Sequence, residues 1–139
     1  MIAPQYEKIQ FLTSQLTEAL SKHSTTKVNE LRLELKMLCN RHYKTKLDHP
    51  FQWEVLGDLA ETDQEALQAY KKGFACAQRM KLPEYAERIK FAMAETYFEQ
   101  DNITKAYKLA SEAVSATNKN FNALQKAVNK FFGGTTMNA

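Results

Sequence analysis

The stretch 65–118 most constrains what this chain can fold into, because one helical unit is written there twice. Ala66 and Ala106, Tyr70 and Ala110, and Gly73 and Ala113 each stand 40 positions apart, so small or aromatic residues recur at matching places. A period of this size belongs to stacked helical pairs, since one pair cannot bury its apolar side without a neighbour. Composition points the same way: 4 Gly and 3 Pro in 139 residues leave few of the breakers that a strand-rich fold with many turns needs. The expectation is an all-α protein of about seven helices in antiparallel pairs, a single domain over 1–132 with its repeat-like core at 50–118, followed by a flexible tail, 133–139.

The helices can be read in order. Ile9, Leu12, Leu16 and Leu20 recur at three- and four-residue steps and predict a first helix from Tyr6 to Leu20. Ser24, Thr25 and Thr26 offer N-caps for a second, striped by Val28, Leu31, Leu35 and Leu38. Leu33 and Met37 lie off that stripe, which predicts that this helix packs on two sides, a partner-binding face being the other reading. Asp48-His49-Pro50 opens a third helix, with Asp48 as cap, Pro50 in the first turn, and Trp53, Leu56, Leu59 and Ala60 on the buried side.

Thr62 and Glu65 have capping-box spacing, so a fourth helix begins almost where the third stops, running through Leu67, Tyr70, Phe74, Ala77 and Met80. Pro83 and Glu84 start a fifth along Tyr85, Ile89, Met93 and Tyr97. Asp101-Asn102 turns and caps a sixth through Ile103, Ala106, Tyr107, Ala110, Ala113 and Val114. Phe121, Leu124, Val128, Phe131 and Phe132 mark a last amphipathic helix before the Gly133-Gly134 stop.

A net charge of +3 and a pI near 8.8 fall short of the electrostatic footprint that by itself argues for nucleic-acid binding. Cys39 and Cys76 show no C-x-x-C spacing, and neither a leader nor a membrane-length apolar run is visible, so two reduced, buried thiols in a cytoplasmic protein are expected. His23, His42 and His49 have no metal-ligand spacing with the cysteines and no nucleophile context, and no Gly-rich phosphate loop occurs. No catalytic, cofactor or metal site is predicted, and the chain reads as a non-enzyme. Arg41, Lys44 and Lys46 suit the negative end of the second helix. With Lys105, Lys108, Lys119, Lys126 and Lys130 they also allow an alternative, a nucleic-acid-associated regulator with a basic face.

Met93-Ala94, Tyr97, Ala106, Ala110 and Ala113 resemble the tetratricopeptide repeat, in which a large and a small residue are followed by an aromatic and then by spaced small residues. Trp53, Leu56-Gly57, Ala66, Tyr70 and Gly73 look like an earlier copy, carrying the family's Trp and Leu-Gly pair. That copy is shortened: Gly57 and Ala66 are 9 positions apart, against 12 for Ala94 and Ala106. The second copy has Lys90 where the family often has Trp, neither copy ends in Pro, and the spacing of 40 exceeds the family's usual value of about 34.

The resemblance implies a short α-solenoid with a terminal capping helix, serving as an adaptor, chaperone or regulator that binds a peptide or amphipathic helix of another protein. It also implies a groove lined by the first helix of each pair. Those positions fall on Glu54, Asp58 and Glu61 and on Arg88, Phe91, Glu95, Phe98 and Glu99. Independently, Phe91 and Phe98 are seven apart on the flank of the Ile89-Met93-Tyr97 stripe, interleaved with Arg88 and Glu95. Two readings follow for the pair: apolar anchors for a peptide, or core against a neighbouring helix. No membrane partner is expected, and a second copy of the chain facing Leu33 and Met37 is left open.

Overall fold

In the computed structural model, which describes residues 3–116, six α-helices follow one another. They are α1 (Tyr6–Ser21), α2 (Thr25–Arg41), α3 (Pro50–Asp58), α4 (Asp63–Arg79), α5 (Pro83–Glu99) and α6 (Ile103–Ala116), with no strand among the described residues. The all-α architecture of adjacent helical pairs expected from the sequence is present. The predicted seventh helix and the tail lie outside the described residues. The chain divides into two compact units, 1–86 and 87–139.

In the first unit α1 pairs with α2 and α3 with α4, while α3 also packs on α1 and α2. The core follows the stripes read from the sequence: Ile9, Leu12 and Leu16 from α1, Val28, Leu31, Leu35 and Leu38 from α2, and Trp53 from α3, but Leu20, read as the end of the α1 stripe, is 43% exposed and Ala19 is buried instead. Cys39 and Cys76 are free thiols within it. Tyr6 stacks on Phe51 with ring centroids 5.2 Å apart, pinning the start of α1 to α3. Two further expectations need correction. Leu33 and Met37 are 57% and 52% exposed; α2 does pack on both α1 and α3, but through the Val28–Cys39 stripe. Asp48 does not cap α3: the N-cap is His49, whose Nδ1 accepts from the Phe51 N–H at 3.0 Å.

The α3–α4 pair is set by its closest approach. A Cβ on Gly57 would lie 2.4 Å from the Tyr70 ring, so only glycine lets the ring lie this close to the α3 backbone. The Tyr70 hydroxyl then donates to Asp58 Oδ1 at 2.6 Å, fixing the ring. Thr62 Oγ1 accepts from the Glu65 N–H at 3.1 Å, which starts α4 one residue later.

In the second unit the α5–α6 pair closes over small residues. Ala94, Ala106, Ala110 and Ala113 are fully buried beside Ile89, Met93 and Tyr97. Lys90 and Glu112 lie 3.6 Å apart across the pair, and Lys105 sits over the Tyr97 ring at 5.2 Å. Ile103 and Tyr107, read as part of the α6 stripe, are 46% and 54% exposed. The buried face of α6 is instead its alanine row.

Three helices end in the same way without glycine. His23, Lys81 and Asp101 have φ of 55°, 57° and 61°, the left-handed conformation that follows a helix C-cap. After α4, the Lys81 N–H donates to the Gln78 carbonyl and the Leu82 N–H to that of Ala77, at 3.2 and 2.9 Å. The same paired bonds close α1 and α5. Each costs about 1–2 kcal/mol that glycine would avoid.

Two predictions follow from these contacts. Gly57→Ala drives a methyl group into a ring that is hydrogen-bonded in place, and should destabilise the fold by about 1–3 kcal/mol in urea denaturation. Lys81→Gly keeps both turn hydrogen bonds, removes the Cβ strain and gives back part of the gain as unfolded-chain entropy. It should stabilise by about 0.5–1 kcal/mol, and a lower denaturation midpoint would contradict this account of the turn.

Candidate functional site

A groove of about 260 Å³ opens in the first unit. Its direction is fixed by two contacts. Arg32 Nε donates to the Leu59 carbonyl at 2.7 Å near one end, and Lys72 Nζ sits 5.1 Å over the Tyr43 ring near the other. These contacts place α2 and α4 side by side and running the same way, with α3 between them. Trp53, Leu56, Leu59 and Ala60 make an apolar floor. Asn29, Arg32, Leu33, Lys36 and Asn40 form the α2 wall, at the three- and four-residue steps that keep a helix face in line. Glu61, Glu65, Gln68 and Lys72 form the opposite wall.

Both walls carry charge of both signs. Glu61 and Glu65 stand where α4 begins, at the end of the groove that Arg32 also occupies, and Lys36 and Lys72 follow along α2 and α4. The Arg32 guanidinium caps the last turn of α3, where cations oppose the negative end of a helix. The Lys72 ammonium is shared between the Tyr43 and Trp53 rings, at 5.1 and 5.2 Å, and the two rings meet edge to face at 5.6 Å. Lys44 covers Tyr43 from a further 5.2 Å contact. The Lys72 end of the groove is therefore a built cation–aromatic cluster.

Beneath the floor lies a polar seam. Asp48, 4% exposed, accepts from Trp53 Nε1 at 2.7 Å, from the Lys44 backbone N–H at 2.8 Å and from Arg79 Nη2 at 3.1 Å. Cys39 Sγ donates to the Gln52 carbonyl at 3.4 Å, and Cys76 Sγ lies 3.7 Å from Met80 Sδ. Burial, with the Asp48 charge adding to it, pushes both thiols up to about 12, so they are protonated and unreactive at neutral pH. His49 is fully buried, with the edge of Tyr85 at 5.0 Å, and burial pushes its pKa down against the opposing pull of Asp48.

The residues predicted for partner contact divide between the two units. Glu54 is half-buried on α3, Asp58 is exposed and holds the Tyr70 hydroxyl, and Glu61 is exposed on the groove wall. Arg88, Glu95 and Glu99 are exposed on α5, with Phe91 and Phe98 half-buried on the same helix. Of the eight, only Glu61 lines the groove. Sequence reasoning placed the binding positions on α3 and α5 and passed over Arg32, Lys36, Gln68 and Lys72. The available signal was the off-stripe Leu33, which stands on the α2 wall. Family models, curated proteins and solved structures were compared with this chain, and none matches it. No helix among the described residues is long and apolar enough to cross a membrane.

His49 supplies a pH prediction. Its folded-state pKa lies below the unfolded value of about 6.5, so between the two the unfolded chain binds a proton that the folded chain does not. Stability should therefore fall as pH drops through about 6.5, and this loss should end below the folded pKa. His49→Asn keeps a side-chain oxygen for the Phe51 N–H while removing the titrating group. Urea midpoints measured from pH 7.5 downward should decline less steeply for the variant than for the parent; equal slopes would assign the pH dependence elsewhere.

Proposed function

We propose that this protein is a noncatalytic interaction module that binds a peptide or amphipathic helix of a partner protein in the α2–α3–α4 groove. The observation that carries the reading is the groove itself: an apolar floor between two polar helical walls that carry both signs of charge. A volume of about 260 Å³ falls under the range of about 300–1,000 Å³ typical of small-molecule sites. It suits one or two apolar side chains presented by a polypeptide whose flanks carry basic residues toward Glu61 and Glu65 and acidic residues toward Lys36 and Lys72.

Two further features support the reading. Gly57 against Tyr70 joins two residues on which the resemblance to tetratricopeptide repeats rests, and it is the kind of close approach for which such repeats keep small residues. The nucleophiles and the buried histidine have structural duties: the thiols are held protonated, and His49 caps α3. In this reading Phe91, Phe98 and the charges of α5 supply a second contact surface, in the second unit.

Selection from a random peptide library on the full-length chain tests this directly. Enriched sequences should share one or two large apolar residues flanked by opposite charges. Gln68→Trp fills the groove from an exposed position and should weaken those peptides at least about tenfold without lowering thermal stability, a loss of about 1.4 kcal/mol of binding. Selected peptides that bind the Gln68→Trp variant unchanged would remove the groove from the argument. Tight, steeply salt-dependent binding of a short single-stranded oligonucleotide, with no peptide enriched, would replace the reading with the basic-face alternative.

A further inference from the structure

The α2 helix carries three faces spaced about 120° apart around its axis. One, Val28-Leu31-Leu35-Leu38, is core. A second, Asn29-Arg32-Lys36-Asn40, walls the groove. The third, Glu30-Leu33-Glu34-Met37-Arg41, follows the same helical steps and opens outward over a shallow depression of about 250 Å³, which Lys8 of α1 completes. Leu33 and Met37 are more than half exposed there, and Phe11, three residues after Lys8 on α1, is 63% exposed.

The charges of this face follow an order that identifies its occupant. Glu30 and Glu34 lie toward the start of α2, Arg41 lies in its last turn, and Lys8 stands beside that last turn because the depression joins it to Leu38 and Arg41. None of these four side chains pairs with another charge among the described residues. The face therefore carries two negative charges at one end, two positive at the other, and Leu33 and Met37 in the middle. Rotated by 180° about an axis through its centre, the pattern meets its own complement.

We infer that the occupant of this face is a second copy of the same chain, docked through an antiparallel α2–α2 contact about a two-fold axis between Glu34 and Met37. In that register Glu30 faces Arg41 of the other copy, Glu34 approaches Lys8 of the other copy, and each Met37 lies across the stem of the opposing Glu34. A parallel arrangement would set Glu30 against Glu30 and Arg41 against Arg41, so the charges select the antiparallel one. A contact made by one helix and the flank of another lies at the small end of specific interfaces, so the dimer is reversible, with a Kd in the micromolar range. Groove and dimer face share only Leu33, and Met37, Glu30 and Arg41 stand clear of the groove.

Sedimentation velocity on the full chain, from about 1 to about 300 µM, reads the proposal directly. The parent should pass from monomer to dimer over this range, at lower concentration when salt is reduced. Glu30→Lys and Arg41→Glu each place two like-charge pairs across the axis, and each alone should raise the dimer Kd by at least about tenfold. An equimolar mixture of these two variants restores both opposite-charge pairs, and should form a one-to-one heterodimer at concentrations where neither variant self-associates. Both positions are exposed helix surface, and a cooperative thermal transition close to the parent's verifies the fold, with a small loss expected for Arg41→Glu at the negative end of α2. A parent that remains monomeric at the highest concentration, or a mixture no more associated than its components, overturns the assignment. Peptide binding in the groove is measured separately and can survive or fail independently of either result.

Discussion

Asp48 holds the first unit in register. Its carboxylate is nearly inaccessible and accepts hydrogen bonds from three places: the Lys44 backbone in the α2–α3 connection, the Trp53 indole on α3 and the Arg79 guanidinium at the end of α4. A buried carboxylate is tolerable only when its oxygens are paired, and hydrogen bonds to a charged group contribute about 1.5–3 kcal/mol each. Satisfying Asp48 therefore fixes three segments at once. Lys44 keeps a left-handed φ of 61°, because its N–H must point at that carboxylate. Trp53 is turned so that its ring edge goes down to Asp48 while its face stays up as groove floor, under Lys72. The site's cation–aromatic end thus rests on a buried ionic anchor.

The α2 helix shows how such an anchor frees a helix to serve more than one neighbour. With α3 and α4 already tied to the loop after α2, only one face of α2 is needed for the core. The other two carry Arg32 and Lys36 on one side and Met37 and Arg41 on the other, and Leu33 stands at their boundary. An exposed leucine by itself is ordinary. Leu33 and Met37 together, between charges that pair with no other charge among the described residues, form an apolar patch of the kind that marks interaction surfaces.

Much of the fold was legible because periodicity and capping are local. The stripes of α1 and α2, the Pro50 and Pro83 starts and the Thr62 cap depend on residues three or four positions apart, and each helix lies where those signals place it. What escaped was the direction of side chains at element ends. Asp48 precedes Pro50 as a capping residue would, but long-range donors from Trp53 and Arg79 outcompete the helix terminus, and His49 takes the cap. In α6 the alanines take the buried side because the pair closes tightly, leaving the larger Ile103 and Tyr107 outside. The groove was hidden for a related reason: its polar walls are surface residues by composition, and only the tertiary placement of α2 beside α4 makes them face each other.

The shorter spacing of Gly57 and Ala66, against that of Ala94 and Ala106, falls in the helix and not in the turn: α3 stops at Asp58, one residue past Gly57, whereas α5 runs to Glu99, five past Ala94. Helices α2 and α4 are 17 residues each, about 25 Å at 1.5 Å per residue, whereas α3 between them is 9 residues, about 14 Å. Two long walls flank a floor that stops early, and the chain leaves α3 through Leu59, Ala60 and Glu61, which line the groove. Ending a helix there leaves carbonyls without partners, and Arg32 reaches across from α2 to satisfy that of Leu59. A full-length α3 would carry helical backbone into this space and would have no terminal carbonyl for Arg32 to meet. The early end of α3 thus leaves room for the groove, and Arg32 is the side chain that satisfies the carbonyl exposed there.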